Sequence, residues 1–253
     1  MNAVAMQPDR SPAAGCAAYQ GDDPCLPCAL AEAEEAAGHA PVRRRLRRGE
    51  ALFRQGDPCR SVYAVRSGTF KTLIPGLDGR EQVTGFQLAG DVLGLDGLAH
   101  GRHASQAVAL EDSEVVVLPY GGDARGDPRA LFEVLPRLIG RELVRKQKLA
   151  VLLSCMSAEQ RLASFLLNLS RRLEARGYSA TEFHLRMTRS EIGSYLGLNL
   201  ETVSRTLSSL HQRGLLEVSG RHVRLRNRPA LAHFFDEPAA ARRGAPSGIR
   251  LRA

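Results

Sequence analysis

Long apolar runs are missing from this chain: none approaches the roughly 18 residues that a membrane-spanning helix requires. The first ten residues, MNAVAMQPDR, lack the apolar stretch of a secretory leader. No membrane partner is therefore expected, and the expected compartment is the cytoplasm. Cysteine is scarce and odd in number, five in 253 residues, which argues against a disulfide framework. Catalytic groupings are lacking as well. Asp, Glu and His are dispersed, and His100 and His103 fall in a glycine-rich stretch that reads as an exposed loop. An enzyme is not expected.

What is present is a lopsided charge. The chain carries a net +8. Residues 157–253 hold 16 Arg and 8 Asp or Glu, so the whole excess lies in the last two-fifths. A localised basic excess suits a polyphosphate, because each neutralised phosphate releases counterions. Part of it, Arg242, Arg243, Arg250 and Arg252, belongs to a Pro/Ala/Gly-rich end that reads as a solvated tail. The run from Arg43 to Arg48 reads as a solvated edge ahead of the first strand rather than a nucleic-acid patch.

The order of patterns divides the chain. Residues 1–41 are rich in Ala, Pro, Gly and Asp and read as a cysteine-containing arm, with a short helix over 29–37. Residues 42–128 read as short strands punctuated by glycines, among them 61–65 and 115–118, with a hairpin around Ser67 and Gly68. Over 129–156 the period changes. Leu131, Leu135, Leu138, Glu142, Arg145, Leu149, Leu152 and Met156 recur every three or four residues, which predicts a long amphipathic helix with a coiled-coil-like seam. We read the seam as a dimer contact, against the alternative of a helix packed on its own barrel. Glu142 with Arg145, or with Lys146 in the other register, would bring like charges together there, a weakness poised for control or simply solvated. Residues 157–235 read as helices ending in a hairpin, opened by Ser157 and Gln160 in a capping-box pattern. Residues 236–253 read as a tail.

The informative stretch is 188–207. Thr188 or Ser190 can cap a short helix whose apolar face is Ile192 and Leu196. Gly193 admits a close neighbour, Gly197 permits a tight turn, and Asn199 caps the next helix. Val203, Leu207 and Leu210 form that helix's inner face, which leaves Glu201, Ser204 and Arg205 outward. Two short helices joined by a glycine turn make a helix-turn-helix, whose second helix enters the major groove. Arg can donate twice to guanine, Glu can accept from cytosine, and Ser serves several bases. Residues 216–225 alternate on both sides of Gly220 and Arg221, as a wing hairpin does. Arg221, Arg224, Arg226 and Arg228 there suit phosphates, which position a protein without reading sequence.

These residues resemble the Crp/Fnr superfamily, most closely its Fnr-type oxygen-sensing branch. The resemblance covers most of 42–235 and is carried by Gly56-Asp57, Tyr63–Gly68, Glu81–Phe86, Leu88–Asp91, Ala109–Glu111, Asn168–Arg172, Met187–Arg189, Ile192-Gly193, Tyr195–Leu198 and Glu201–Arg205. It implies an α+β chain: a cyclic-nucleotide-binding-type β-roll, a dimerisation helix and a C-terminal winged helix-turn-helix. It further implies a homodimer on double-stranded DNA, base contacts from Glu201, Ser204 and Arg205 with Thr202 and Arg189 beside them, TTGAT-like palindromic half-sites, and contact with RNA polymerase.

Two departures from the family pattern stand out. The cAMP-binding members carry a Gly-Glu-Leu…Arg-Ser cassette, whereas this chain reads Gly90-Asp-Val-Leu-Gly and then Arg102-His-Ala-Ser105, placing Asp91 where the ribose-binding Glu belongs. A cAMP ligand is not expected. Oxygen-sensing members hold a 4Fe–4S cluster on three N-terminal cysteines and one barrel cysteine; here Cys16 and Cys25 fit two places, but Tyr19 and Val116 occupy the others. Cys16, Cys25, Cys28 and Cys59 supply the four thiolates a cluster requires. Cysteine redox chemistry, a zinc site at Cys25 and Cys28, and no cofactor at all stay open as alternatives. Cys155 reads as a packing residue of the long helix.

Overall fold

The computed structural model describes residues 42–76, 79, 81–120 and 128–233. The expected helix over 29–37, three of the four expected cluster ligands (Cys16, Cys25 and Cys28) and the tail lie outside them.

The N-terminal half is a β-roll of two antiparallel four-stranded sheets. The strands are β1 (Arg43–Leu46), β2 (Ala51–Phe53), β3 (Ser61–Ser67), β4 (Thr69–Pro75), β5 (Glu81–Leu88), β6 (Val92–Leu93), β7 (Gln106–Ala109) and β8 (Ser113–Pro119). One sheet runs β1-β8-β3-β6 and the other β2-β7-β4-β5. Leu52, Phe53, Val65, Phe70, Leu93 and Val115 fill the space between them. The arginine run does not precede the first strand: Arg43–Leu46 is itself the edge strand, solvated as expected, with Arg45 paired to Glu114 at 3.0 Å.

No hairpin forms at Ser67 and Gly68. β3 pairs with β6 and β8, and β4 with β5 and β7, so this link carries the chain from one sheet to the other. Gly68 sits at φ +88°, and a Cβ there would overlap the Ser113 hydroxyl, so the crossing admits only glycine.

Helix α1 (Pro128–Cys155) follows. The expected seam turns inward at its first half: Leu131, Leu135 and Leu138 are buried, and Leu131 and Leu138 pack against Val62, Ala64, Val116 and Leu118 of the roll. The stripe that faces outward is Phe132, Ile139, Leu143 and Val151, offset by one residue at its start. Glu142 is satisfied within the helix by Arg145 at 3.3 Å and Lys146 at 3.4 Å. Cys155 is exposed rather than packed.

Helix α2 (Ala158–Glu174) begins at the expected capping box of Ser157 and Gln160. Two residues, Met156 and Ser157, separate it from α1. Arg161 spans this hinge, donating to the carbonyls of Leu153 (2.6 Å), Met156 (2.9 Å) and Leu196 (3.1 Å). The remaining elements are β9 (Glu182–His184), α3 (Arg189–Leu196), α4 (Leu200–Gln212), β10 (Leu216–Ser219), β11 (His222–Leu225) and α5 (Arg228–His233). The last three strands form a small sheet ordered β10-β11-β9. Phe86 and Leu88 of β5 share one core with Leu162, Phe165, Leu166, Ile192, Leu207 and Leu210, so the roll and the C-terminal module are packed as a unit.

Candidate nucleic-acid interface

Helix α3 starts where Thr188 caps it. The Glu191 amide donates to Thr188 Oγ1 (3.1 Å), and the Glu191 carboxylate accepts from the Thr188 amide (2.6 Å). Burial pushes the Glu191 carboxyl up, but its bonds from Thr188 and Lys71 outweigh this and hold it below the usual range. The helix ends at Gly197 in the left-handed region, φ 62°. Gly193 sits under the turn: a Cβ there would lie 2.6 Å from the Leu198 carbonyl oxygen. Asn199 then caps α4, its Oδ1 accepting from the Thr202 amide at 2.7 Å.

Amphipathicity orients α4. Val203, Thr206, Leu207 and Leu210 are buried against α2 and α3. Glu201 and Arg205 are exposed, with Thr202 and Ser204 half-buried between the faces. Arg189 reaches across from α3 and donates to Ser204 Oγ at 3.2 Å, so those two residues act together. Leu200, the first residue of α4, is 53% exposed. The sequence reading passed over it because an apolar residue next to a cap looks like core; here its side chain suits a thymine methyl group.

The wing is β10 and β11, joined at Gly220 (φ 60°), with Arg221 exposed at its tip. The other wing arginines already have carboxylate partners. Arg224 pairs with Glu182 at 3.1 Å, Arg226 with Glu217 at 2.5 Å, and Arg228 with Glu174 at 2.8 Å. Glu182 also meets His222 Nε2 at 2.9 Å. Phosphate binding by Arg224 thus competes with an existing pair.

The sensor residues are placed differently from the sequence reading. His103 is not an exposed loop residue: it is 2% exposed, its ring stacks on Phe53 at 3.7 Å, and Nδ1 lies 3.4 Å from Asp96. The same Asp96 accepts from the amide and hydroxyl of Ser105, at 2.8 and 2.7 Å. Arg102 donates to the Gly56 carbonyl at 2.8 Å. Asp91 does not stand as a ribose ligand. It points to the C-terminal module, bonded to Arg172 and paired with Arg145 at 3.1 Å and Arg176 at 3.6 Å. Burial opposes its charge, but the three guanidiniums outweigh that and lower its carboxyl from 3.8 to about 2.

Of the four expected cluster ligands, only Cys59 lies among the described residues. Cys59 is buried, with Sγ directed at the carbonyls of Gly94 (3.6 Å) and Ser61 (3.9 Å). Burial, then the neighbouring Asp96 charge, pushes its thiol up. Val116, at the family's barrel-cysteine place, is buried against α1. Among the described residues no group of three or more His, Cys, Asp or Glu is placed to hold a metal ion. No helix among them is long and apolar enough to cross a membrane.

Comparison with known proteins agrees with this geometry. Residues 160–234 match the Crp-like helix-turn-helix domain, and residues 43–122 match the cyclic nucleotide-binding domain. The transcriptional regulatory protein btr of Bordetella pertussis is 44% identical, over 92% of this chain and 97% of its own. The fumarate and nitrate reduction regulatory protein of Escherichia coli is 42% identical, over 83% of this chain and 86% of its own. Among solved structures, FixK2 from Bradyrhizobium japonicum superposes with a TM-score of 0.66 at 33% identity, covering 77% of this chain and 97% of its own. The chain belongs to the Crp/Fnr family and is a DNA-binding transcription regulator, not an enzyme, of that family's Fnr branch.

Proposed function

We propose that the chain binds palindromic duplex DNA with TTGAT-like half-sites as a homodimer, and that oxygen or redox state sets its affinity through N-terminal cysteines. The observation that carries the DNA reading is the two-faced helix α4: Val203, Leu207 and Leu210 inside, Glu201 and Arg205 outside. Glu201, Ser204 and Arg205 read base edges, Leu200 meets a thymine methyl, and Thr202, Arg189, Arg221 and Arg224 serve the backbone. The outward apolar side chains Phe132, Ile139, Leu143 and Val151 on α1 support pairing of two copies, because exposed apolar groups along one face of a long helix gain by covering. Pairing sets two recognition helices about 34 Å apart, one turn of DNA. RNA polymerase is the expected partner of the DNA-bound dimer.

The redox reading rests on Cys16, Cys25 and Cys28, three thiols within thirteen residues, and on a relative named for fumarate and nitrate reduction. Cys59, buried in the roll, is the fourth thiol that a 4Fe–4S cluster on this chain would use. The test is a titration of anaerobically purified protein with a TTGAT palindrome and with a scrambled duplex, repeated after exposure to air, with iron, sulfide and zinc measured on the same sample. A clear preference for the palindrome that weakens in air supports both parts. Equal binding of the two duplexes overturns the DNA reading, and identical behaviour with and without air overturns the redox reading.

A further inference from the structure

Helices α1 and α2 form two arms of a hinge. Arg145 lies 11 residues before Met156, and Arg172 lies 15 residues after Ser157. At about 1.5 Å per residue, the two positions sit roughly 16 and 22 Å from the hinge. Two arms joined at a point have a free angle unless a third side closes the triangle. At the centre of that third side is one carboxylate that meets both arms. Asp91 Oδ1 takes Arg145 of α1 at 3.1 Å, and Asp91 Oδ2 takes Arg172 of α2. Arg176, in the turn just past the end of α2, stands 3.6 Å from Oδ1.

The carboxylate itself is held by the roll. Oδ2 accepts from the Leu88 amide at 2.8 Å, within a turn closed by the Asp91 amide on the Leu88 carbonyl at 3.0 Å. Gly90, φ +88°, completes the turn, and a Cβ there would come within 3.2 Å of the Arg176 guanidinium. These two arginines also grip the main chain on either side: Arg172 of α2 donates to the Phe86 carbonyl at 3.1 Å, and Arg176 beyond it to the Ala89 carbonyl. On α1, Lys146 donates to the Thr84 carbonyl at 2.8 Å.

We propose that Asp91 is a positioning residue for DNA binding, its carboxylate fixing the angle between the pairing helix and the DNA-binding module and so the half-site spacing that the dimer accepts. This rests on the palindrome-binding dimer proposed above. The lever is short: a shift of about 1 Å at Asp91 turns an arm of roughly 16 Å by about 4°. One base pair of added spacing moves a half-site about 3.4 Å along the duplex and about a tenth of a turn around it. Spacing selectivity therefore reads the junction directly, whereas contact with a single half-site does not involve it.

The experiment uses the full chain, Asp91→Asn and Arg145→Gln, with a panel of palindromes whose TTGAT half-sites are separated in one-base-pair steps bracketing a centre-to-centre distance of about one turn of DNA. The parent should prefer one spacing by roughly tenfold or more, and both variants should flatten that preference to within about threefold. Dimerisation measured by sedimentation, and affinity for a lone half-site, should stay at the parent value. Arg145, on the outer side of the junction, is the variant to rely on if Asp91→Asn does not fold. A folded variant with the parent's spacing preference overturns the inference while leaving the proposed function intact. A parent that does not prefer palindromes overturns both.

Discussion

Replace Gly193 by alanine and two opposing effects are set against each other. In an ordinary helix the change stabilises by about 1 kcal/mol, since alanine is the better helix former. Here the added Cβ would stand 2.6 Å from the Leu198 carbonyl oxygen and 3.4 Å from its carbonyl carbon. To reach ordinary contact near 3.5 Å, the turn must retreat by about 0.9 Å. The turn is not free to do so. The Leu198 amide donates to the Gly193 carbonyl at 2.8 Å, and the Gly197 amide caps the helix on the same oxygen. Overpacking costs about 1–3 kcal/mol, and weakening such a bond costs about 1 kcal/mol more. The expected balance is a net loss of about 1–3 kcal/mol despite the helix preference. Asn199 moves with the turn and carries the start of α4, so cognate DNA affinity should fall along with stability. Urea unfolding followed by circular dichroism gives the first quantity and a titration with palindromic DNA the second. A variant that is more stable by about 1 kcal/mol, the bare helix-propensity result, would refute the reading of this turn as a close crossing.

Arg205→Ala should weaken cognate binding by about 1–3 kcal/mol while leaving random-sequence binding nearly intact; equal losses on both would remove Arg205 from base reading. Because Glu182 holds Arg224 at 3.1 Å, Glu182→Gln should strengthen binding to all duplexes and steepen its salt dependence, whereas Arg224→Ala should weaken all duplexes alike and flatten it. Leu143→Asp, on the outward stripe of α1, should convert dimer to monomer in sedimentation at micromolar concentration without lowering the thermal stability of the roll. Asp91 has its folded carboxyl at about 2 against an ordinary 3.8, so its stabilisation is complete above about pH 4 and lost as pH falls toward 2. That contribution is about 2 kcal/mol, and an acid-unfolding titration should show Asp91→Asn with a correspondingly flatter acid limb.

The helix-turn-helix was legible because everything that makes it is local. Thr188, Gly193, Gly197 and Asn199 do their work within a dozen residues, and the buried face of α4 repeats at the helical period. The roll was legible as a class but not in its connections. A glycine after a strand looks like a hairpin; what makes Gly68 a sheet crossing is Ser113, far along the chain, lying where a side chain would go. On α1 the period was visible, but two apolar stripes lie side by side, and only the roll surface at Val62 and Val116 decides which is covered. His103 was misjudged from its glycine-rich neighbours, since the Phe53 ring that buries it comes from another strand. Asp91 was visible only as a departure from the nucleotide cassette; its actual role was hidden because its partners stand 54 and 81 residues away. The wing arginines were counted as phosphate ligands before the carboxylates opposite Arg224, Arg226 and Arg228 could be seen.

Arg161 makes three parts of the chain inseparable. Its single planar group serves the final turn of the pairing helix, the hinge and the final turn of α3, three places a mutation would otherwise damage one at a time. Lysine could not stand in, because an ammonium is one point and these carbonyls surround a plane. Loosening at any of the three strips a partner from the other two, so fraying in this region is shared: the chain gives way there together or holds together.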